Sequence, residues 1–209
     1  MKPASVLPAE IRREISSEEL ANLPIQRFEG DVFVLSAPDA IERALADIGG
    51  EAVVGFDTET RPSFRKGESY PPCLVQVATA RAVYLFPLQR QDFSGAIAAL
   101  LSAREIIKVG ISVAEDLRRL KALFPAQEAS VLDAGAVARR HGLRQTGLRN
   151  LAAIFLGIRI PKGKRTSNWA APNLSAAQII YAATDAWACR ELFLAYERLG
   201  LVGAQADLR

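Results

Sequence analysis

Val54-Gly55-Phe56-Asp57-Thr58-Glu59-Thr60 places two carboxylates at the end of an apolar run. The run Ala52 to Thr58 reads as a buried strand, preceded by Gly49-Gly50 and followed by a loop, Arg61 to Pro72, rich in Pro, Ser and charge. Alternate residues of a strand share a face, so Asp57 and Glu59 point the same way. They lie about 6.6 Å apart along the strand, where two like charges at an effective dielectric near 20 repel by about 2.5 kcal/mol. A divalent cation that prefers oxygen ligands, Mg²⁺ or Mn²⁺, would offset this repulsion. A strand end turning into solvent also accounts for the pair, so the motif needs support from elsewhere in the chain.

Around this strand the pattern is mixed. Val32 to Leu35 is a short apolar run consistent with a strand. Pro38 to Ile48 has helical spacing at Ile41, Leu45 and Ile48, and stops at the two glycines. Leu74 to Ala78 and Ala82 to Phe86 form two strand candidates, separated by the hairpin-length Thr79-Ala80-Arg81. Helices are expected at Phe93 to Ser102, Ser112 to Phe124, Ala134 to Arg140, Leu148 to Leu156 and Ser175 to Leu199. Strands are expected at Glu105 to Val109 and Val131-Leu132. With strands in the first half and helices in the second, a mixed α/β sheet flanked by helices is the natural architecture. Residues 1–30, punctuated by Pro3 and Pro8, read as an N-terminal extension in which Ser16 to Leu20 starts a short helix. Residues 31–209 read as one domain.

Two further carboxylates stand out. In the helix from Ser112, the apolar stripe is Val113, Leu117, Leu120 and Phe124, and Asp116 lies on its edge. Ser112-Val113-Ala114-Glu115 has the pattern of a capping box, which would occupy Glu115 as a cap. A carboxylate on a buried edge requires a partner, either an arginine or a metal. The helix from Ser175 opens with its own capping-box pattern, Ser175-Ala176-Ala177-Gln178, and is apolar on nearly every side. Asp185 is its only charge before Arg190, with Tyr181 one turn earlier on the same face. A plain Tyr–Asp hydrogen bond is one reading of that pair, and a metal ligand with a neighbouring phenol is another.

The chain has 209 residues, half of them apolar and 23% charged, an ordinary balance for one globular domain. No apolar run approaches the roughly 18 residues that cross a membrane. Lys2, Pro3, Ser5, Pro8 and Glu10 interrupt any signal-peptide core. Cys73 and Cys189 fit no zinc or redox spacing and read as reduced core thiols. These features together point to the cytoplasm. The net charge of +3 conceals an asymmetry, because Ala134 to Thr184 contains no Asp or Glu but holds Arg139, Arg140, Arg144, Arg149, Arg159, Lys162, Lys164 and Arg165. This segment carries +8 and leaves −5 for the remainder, a distribution suited to a polyanionic partner. A solvated basic face is the plainer alternative.

Taken together, Val54 to Thr60, Lys108-Val109-Gly110-Ile111 leading to Asp116, and Tyr181-Ala182-Ala183-Thr184-Asp185 resemble the three motifs of the DEDD exonuclease superfamily, tyrosine subclass. The likeness is to Werner-type exonuclease domains and more distantly to ribonuclease D. Lys162 to Trp169, ending in Ser167-Asn168-Trp169, resembles the Werner-type segment before the third motif. The resemblance covers roughly residues 50–197. It implies an RNase H-like fold and a 3′→5′ exonuclease releasing nucleoside 5′-monophosphates from DNA or RNA. It also implies two divalent ions, Mg²⁺ or Mn²⁺, ligated by Asp57, Glu59, Asp116 and Asp185, with Tyr181 on the attacking water. The partner implied is a single-stranded or 3′-end nucleic acid. For its contacts, Thr60, Arg61, Lys162, Lys164, Arg165 and Trp169 are the expected residues, the tryptophan by base stacking unless it is core. His141 does not stand just before Asp185, where the histidine subclass keeps its base. A binding module of the same fold without catalysis is the rival reading.

Overall fold

The computed structural model describes residues 7–9, 11–63, 65, 67–68, 70–163 and 167–202. Six strands form one sheet: β1 (Asp31–Val34), β2 (Val53–Thr60), β3 (Pro72–Ala78), β4 (Ala82–Pro87), β5 (Ile107–Gly110) and β6 (Val131–Asp133). Their spatial order is β1-β4-β3-β2-β5-β6. β3 runs antiparallel to both its neighbours, while β1 with β4, β2 with β5 and β5 with β6 are parallel. The tight β3–β4 connection expected from the sequence is present, and a hairpin of this kind is what makes the sheet mixed. Around the sheet lie α1 (Ser17–Asn22), α2 (Pro38–Gly49), α3 (Ser94–Ser102), α4 (Val113–Leu123), α5 (Ala134–Arg140), α6 (Leu148–Leu156) and α7 (Ala176–Arg198).

The alternation of β2 sorts its side chains onto two faces. Val54 and Phe56 join Val75 and Val77 of β3 in a core shared with α2, α3 and α4. On the opposite face, Leu74, Ala78, Val83 and Leu85 pack against Ala182, Ala183 and Ala186 of α7. The run of alanines lets α7 lie directly on the sheet, and Gly55 completes the fit. A Cβ at position 55 would stand 1.8 Å from the Ala186 carbonyl oxygen. Gly110 plays the same part for α4, since a Cβ there would meet a Val113 methyl at 2.3 Å and the Phe56 carbonyl oxygen at 2.6 Å.

The capping-box pattern at Ser175 is realised, with Ser175 Oγ accepting from the Gln178 amide and the Gln178 side chain accepting from the Ser175 amide. The one at Ser112 is not. Ser112 has φ 57°, in the left-handed region, and its side chain makes no cap bond. The turn from β5 into α4 is too tight for an extended cap residue, and Glu115 is engaged by Arg118 and Arg119 instead. The described part of the N-terminal extension lies along the domain. Arg159 donates its amide to the Pro24 carbonyl, and the Phe28 amide donates to Thr184 Oγ1 on α7. Among the described residues no helix is long and apolar enough to cross a membrane.

Candidate active site

Strand β2 outruns its neighbour. It pairs with β5 only from Val53 to Gly55, yet continues against β3 as far as Thr60. Asp57 and Glu59 therefore lie beyond the end of β5, where the sheet opens on that side. Three elements fill the opening. β2 supplies Asp57 and Glu59, α7 supplies Asp185, and α4 supplies Asp116. One carboxylate oxygen from each of Asp57, Glu59 and Asp185 lies within 4.8 Å of the others. Asp116 stands outside this group of three but is close enough to raise the pKa of both Asp57 and Glu59. Its Oδ1 accepts a 2.9 Å hydrogen bond from Thr58 Oγ1. The residue between the two strand carboxylates thus faces α4 and steadies the carboxylate that comes from there.

The electrostatics are those of a buried acidic cluster. Burial, then Asp185, then Glu59 hold Asp57 well above the usual carboxylate range. Burial, followed by Asp185 and Asp116, pushes Glu59 up to about 8. Asp185, 7% exposed, is raised to about 6 by burial, with the Tyr181 hydrogen bond and the Arg149 charge opposing. Burial also raises Asp116, against the pull of Thr58 and Arg119. Four oxygen donors that resist ionisation together suit hard divalent cations, because bound positive charge removes the repulsion.

A stability prediction follows from these shifts. For each carboxylate the folded pKa lies above the unfolded one, so the folded state binds more protons between the two values and stability falls as pH rises through that window. In EDTA the melting temperature should drop between about pH 4.5 and pH 8, the span covered by Glu59. Saturating Mn²⁺ should flatten the slope. A metal-free melting temperature that rises across this range would contradict the placement of the cluster.

Tyr181 sits one turn above Asp185 and hydrogen-bonds to its carboxylate, and burial with the nearby acids raises its pKa. Two neighbours hold the ring. A Cβ at Gly163 would stand 2.4 Å from Tyr181 Cε2, and the Trp169 ring centroid is 6.1 Å away. Trp169 is only 8% exposed and belongs to the core cluster beneath α7, so most of its surface is committed to packing. A cavity of about 740 Å³ opens beside Tyr181, where Arg27, Lys162, Asn168, Trp169 and Thr184 contribute to its wall. The carboxylates do not line it. Thr60 is half-buried at an irregularity in the β2–β3 register. Arg61 is exposed, its guanidinium 4.8 Å from the Tyr70 ring centroid. Lys162 is exposed, and Lys164 and Arg165 lie outside the described residues.

Two neighbours of the acidic residues escape a reading of the sequence. Thr58 is hidden between the acids it separates. Gln76 is directly opposite Asp57 on β3, and its signal was a single amide inside the apolar run Cys73 to Ala78. His141 contacts the Leu201 carbonyl, at 3.1 Å.

A mixed sheet in this order, flanked by helices, is the ribonuclease H-like fold. Residues 32–199 match the profile of the 3′-5′ exonuclease family, and the chain belongs to that family. It is 32% identical over 174 residues to ribonuclease D of Gluconacetobacter diazotrophicus, covering 81% of this chain and 43% of that protein. It is 30% identical over 200 residues to the mouse bifunctional 3′-5′ exonuclease/ATP-dependent helicase WRN, covering 90% of this chain and 14% of that protein. The chain thus spans less than half the length of either relative. Its fold matches the Aedes aegypti Nibbler EXO domain with a TM-score of 0.73 at 23% identity, over 83% of this chain and 92% of that one.

Proposed function

We propose that the protein is a 3′→5′ exonuclease of the tyrosine subclass, hydrolysing phosphodiesters at the 3′ end of DNA or RNA and releasing nucleoside 5′-monophosphates. The observation that carries the reading is the convergence of Asp57, Glu59 and Asp185 within 4.8 Å, with Asp116 beside them. Asp57, Glu59, Asp116 and Asp185 would hold two divalent cations, Mg²⁺ or Mn²⁺. When bound, such a pair supplies an activated water and a counter-charge for the leaving 3′ oxygen. Four carboxylates and two divalent ions balance in charge.

The chain's own groups do the rest. Asp185 fixes the Tyr181 hydroxyl, and Gly163 and Trp169 fix its ring. Its raised pKa keeps Tyr181 protonated at neutral pH, which makes it a poor base and suits it to orienting the attacking water. Tyr181→Phe should slow turnover about 100-fold, the scale of one oriented transition-state donor, while Mn²⁺ affinity stays within about twofold. A large loss of Mn²⁺ affinity in a calorimetric titration would contradict that role. Thr60 and Arg61 follow the metal strand and would meet the strand end. Lys162, Lys164 and Arg165 would hold phosphates. Trp169 would act by backing Tyr181, its burial leaving little ring for a base.

Residues 31–209 form the exonuclease domain in this reading, and 1–30 an N-terminal extension. Two buried free cysteines support a reducing, cytoplasmic setting. The test is parallel digestion of matched 5′-labelled DNA and RNA strands with Mg²⁺ or Mn²⁺. A ladder of shortening products supports the proposal; binding without a ladder would make the chain a silent binding module.

A further inference from the structure

Gln76 is fully buried, and neither Nε2 nor Oε1 has a hydrogen-bond partner. Among the described residues these are the only buried side-chain nitrogen or oxygen atoms in that condition. Its surroundings explain why. On its own strand the same-face neighbours are Leu74 and Ala78, its partner on β4 is Leu85, and the alanines of α7 close over this face. Leu74, Ala78 and Leu85 are themselves fully buried. A leucine at position 76 would suit that environment, and an amide left unpaired there weakens the fold relative to an apolar side chain of similar shape. A polar residue kept in such a place calls for a state in which it is paired.

The one polar residue it meets across the ladder is Asp57. Position 76 pairs with position 57 in antiparallel register, so the two side chains stand on the same face, about 5 Å apart at Cβ. A carboxylate has about four lone-pair sites, and a cation uses only some of them. We propose that Gln76 is a positioning residue of the metal site, whose amide donates to the Asp57 carboxylate and fixes its orientation when that carboxylate is ionised and holding a cation. The bond is charge-assisted and enclosed, the kind of outer support that orients a ligand. The unpaired Nε2 is then a cost borne by the metal-free protein alone. This inference rests on the assignment of Asp57 as a metal ligand.

The test uses the full chain with Gln76→Leu and Gln76→Met, and Asp57→Asn as control, measuring melting in EDTA at pH 8, Mn²⁺ affinity by calorimetry, and kcat and KM separately. The expected result is a metal-free melting temperature equal to the wild type or about 2–4 °C higher, Mn²⁺ affinity weakened about tenfold, the scale found for an outer-shell partner, kcat lowered and KM unchanged. Folded variants that bind Mn²⁺ as tightly as the wild type overturn the proposal. So does a metal-free melting temperature that falls sharply in both variants, which would make Gln76 a packing residue. A wild type that binds Mn²⁺ and an Asp57→Asn that does not would leave the site assignment standing in either case. A wild type that binds no Mn²⁺ would remove the site and the role of Gln76 together.

Discussion

Asp57→Asn should end exonucleolytic turnover and, at the same time, raise the melting temperature of the metal-free protein at pH 8. Both effects come from one position. Asp57, Glu59 and Asp185 each offer an oxygen within 4.8 Å of the others, and both neighbours raise the pKa of Asp57. If Asp57 is a metal ligand as proposed, neutralising it weakens the set, so the rate should fall by at least about 1000-fold, the scale of losing a major electrostatic contact in a transition state. The same change removes from the metal-free protein a group whose ionisation is opposed by burial and by Asp185 and Glu59. Steady-state kinetics with Mn²⁺ and melting curves in EDTA check the two halves. A variant with wild-type rates, or one that melts lower in EDTA at pH 8 than the wild type, would contradict the assignment.

Gly55→Ala should be among the most damaging single changes in the chain although it adds one methyl group. The new carbon would fall 1.8 Å from the Ala186 carbonyl oxygen and 2.9 Å from the Arg190 amide nitrogen. Both are backbone atoms of α7 and cannot rotate away, so the helix as a whole must lift from β2. Overpacking typically costs about 1–3 kcal/mol and more where nothing can yield, so a loss of about 3 kcal/mol is expected here. For a domain of this size that lowers the melting temperature by about 6–12 °C. The displaced helix carries Tyr181 and Asp185, so the folded fraction should also bind Mn²⁺ more weakly. A melting temperature within about 2 °C of the wild type would show that α7 does not press on the strand as described.

Much of the fold is legible in local sequence because local physics makes it. The apolar runs Leu74 to Ala78 and Ala82 to Phe86 and the three-residue link between them define a hairpin, and the hairpin is there. The cap at Ser175 is written in four residues and forms as written. The same four-residue signature at Ser112 fails, because the β5–α4 turn imposes a positive φ and Arg118 and Arg119 compete for Glu115. Strand β2 runs two residues past its expected end because β3 still pairs with it there, a fact of tertiary partnership. The site shows the same division. Asp57 with Glu59, and Tyr181 with Asp185, follow from the periods of a strand and a helix. The bond from Thr58 to Asp116 and the pairing of Gln76 with Asp57 depend on which strand lies beside which, and no local period encodes that. The basic segment is visible as charge, but not that Arg149 donates to the Ile160 carbonyl and acts on Asp185, while Lys162 lines a cavity.

The most direct test of metal-dependent attack at a 3′ terminus uses one 5′-labelled strand prepared with a free 3′ hydroxyl and with a blocked 3′ end. Each is incubated with wild-type protein and with Asp57→Asn, in Mn²⁺ and in EDTA, and the products are resolved at single-nucleotide spacing. The account predicts a ladder descending from the 3′ end only for wild-type protein, free ends and Mn²⁺, with nucleoside 5′-monophosphate released. Cleavage that continues in EDTA, persists in Asp57→Asn, or begins at internal positions of the blocked strand would contradict it.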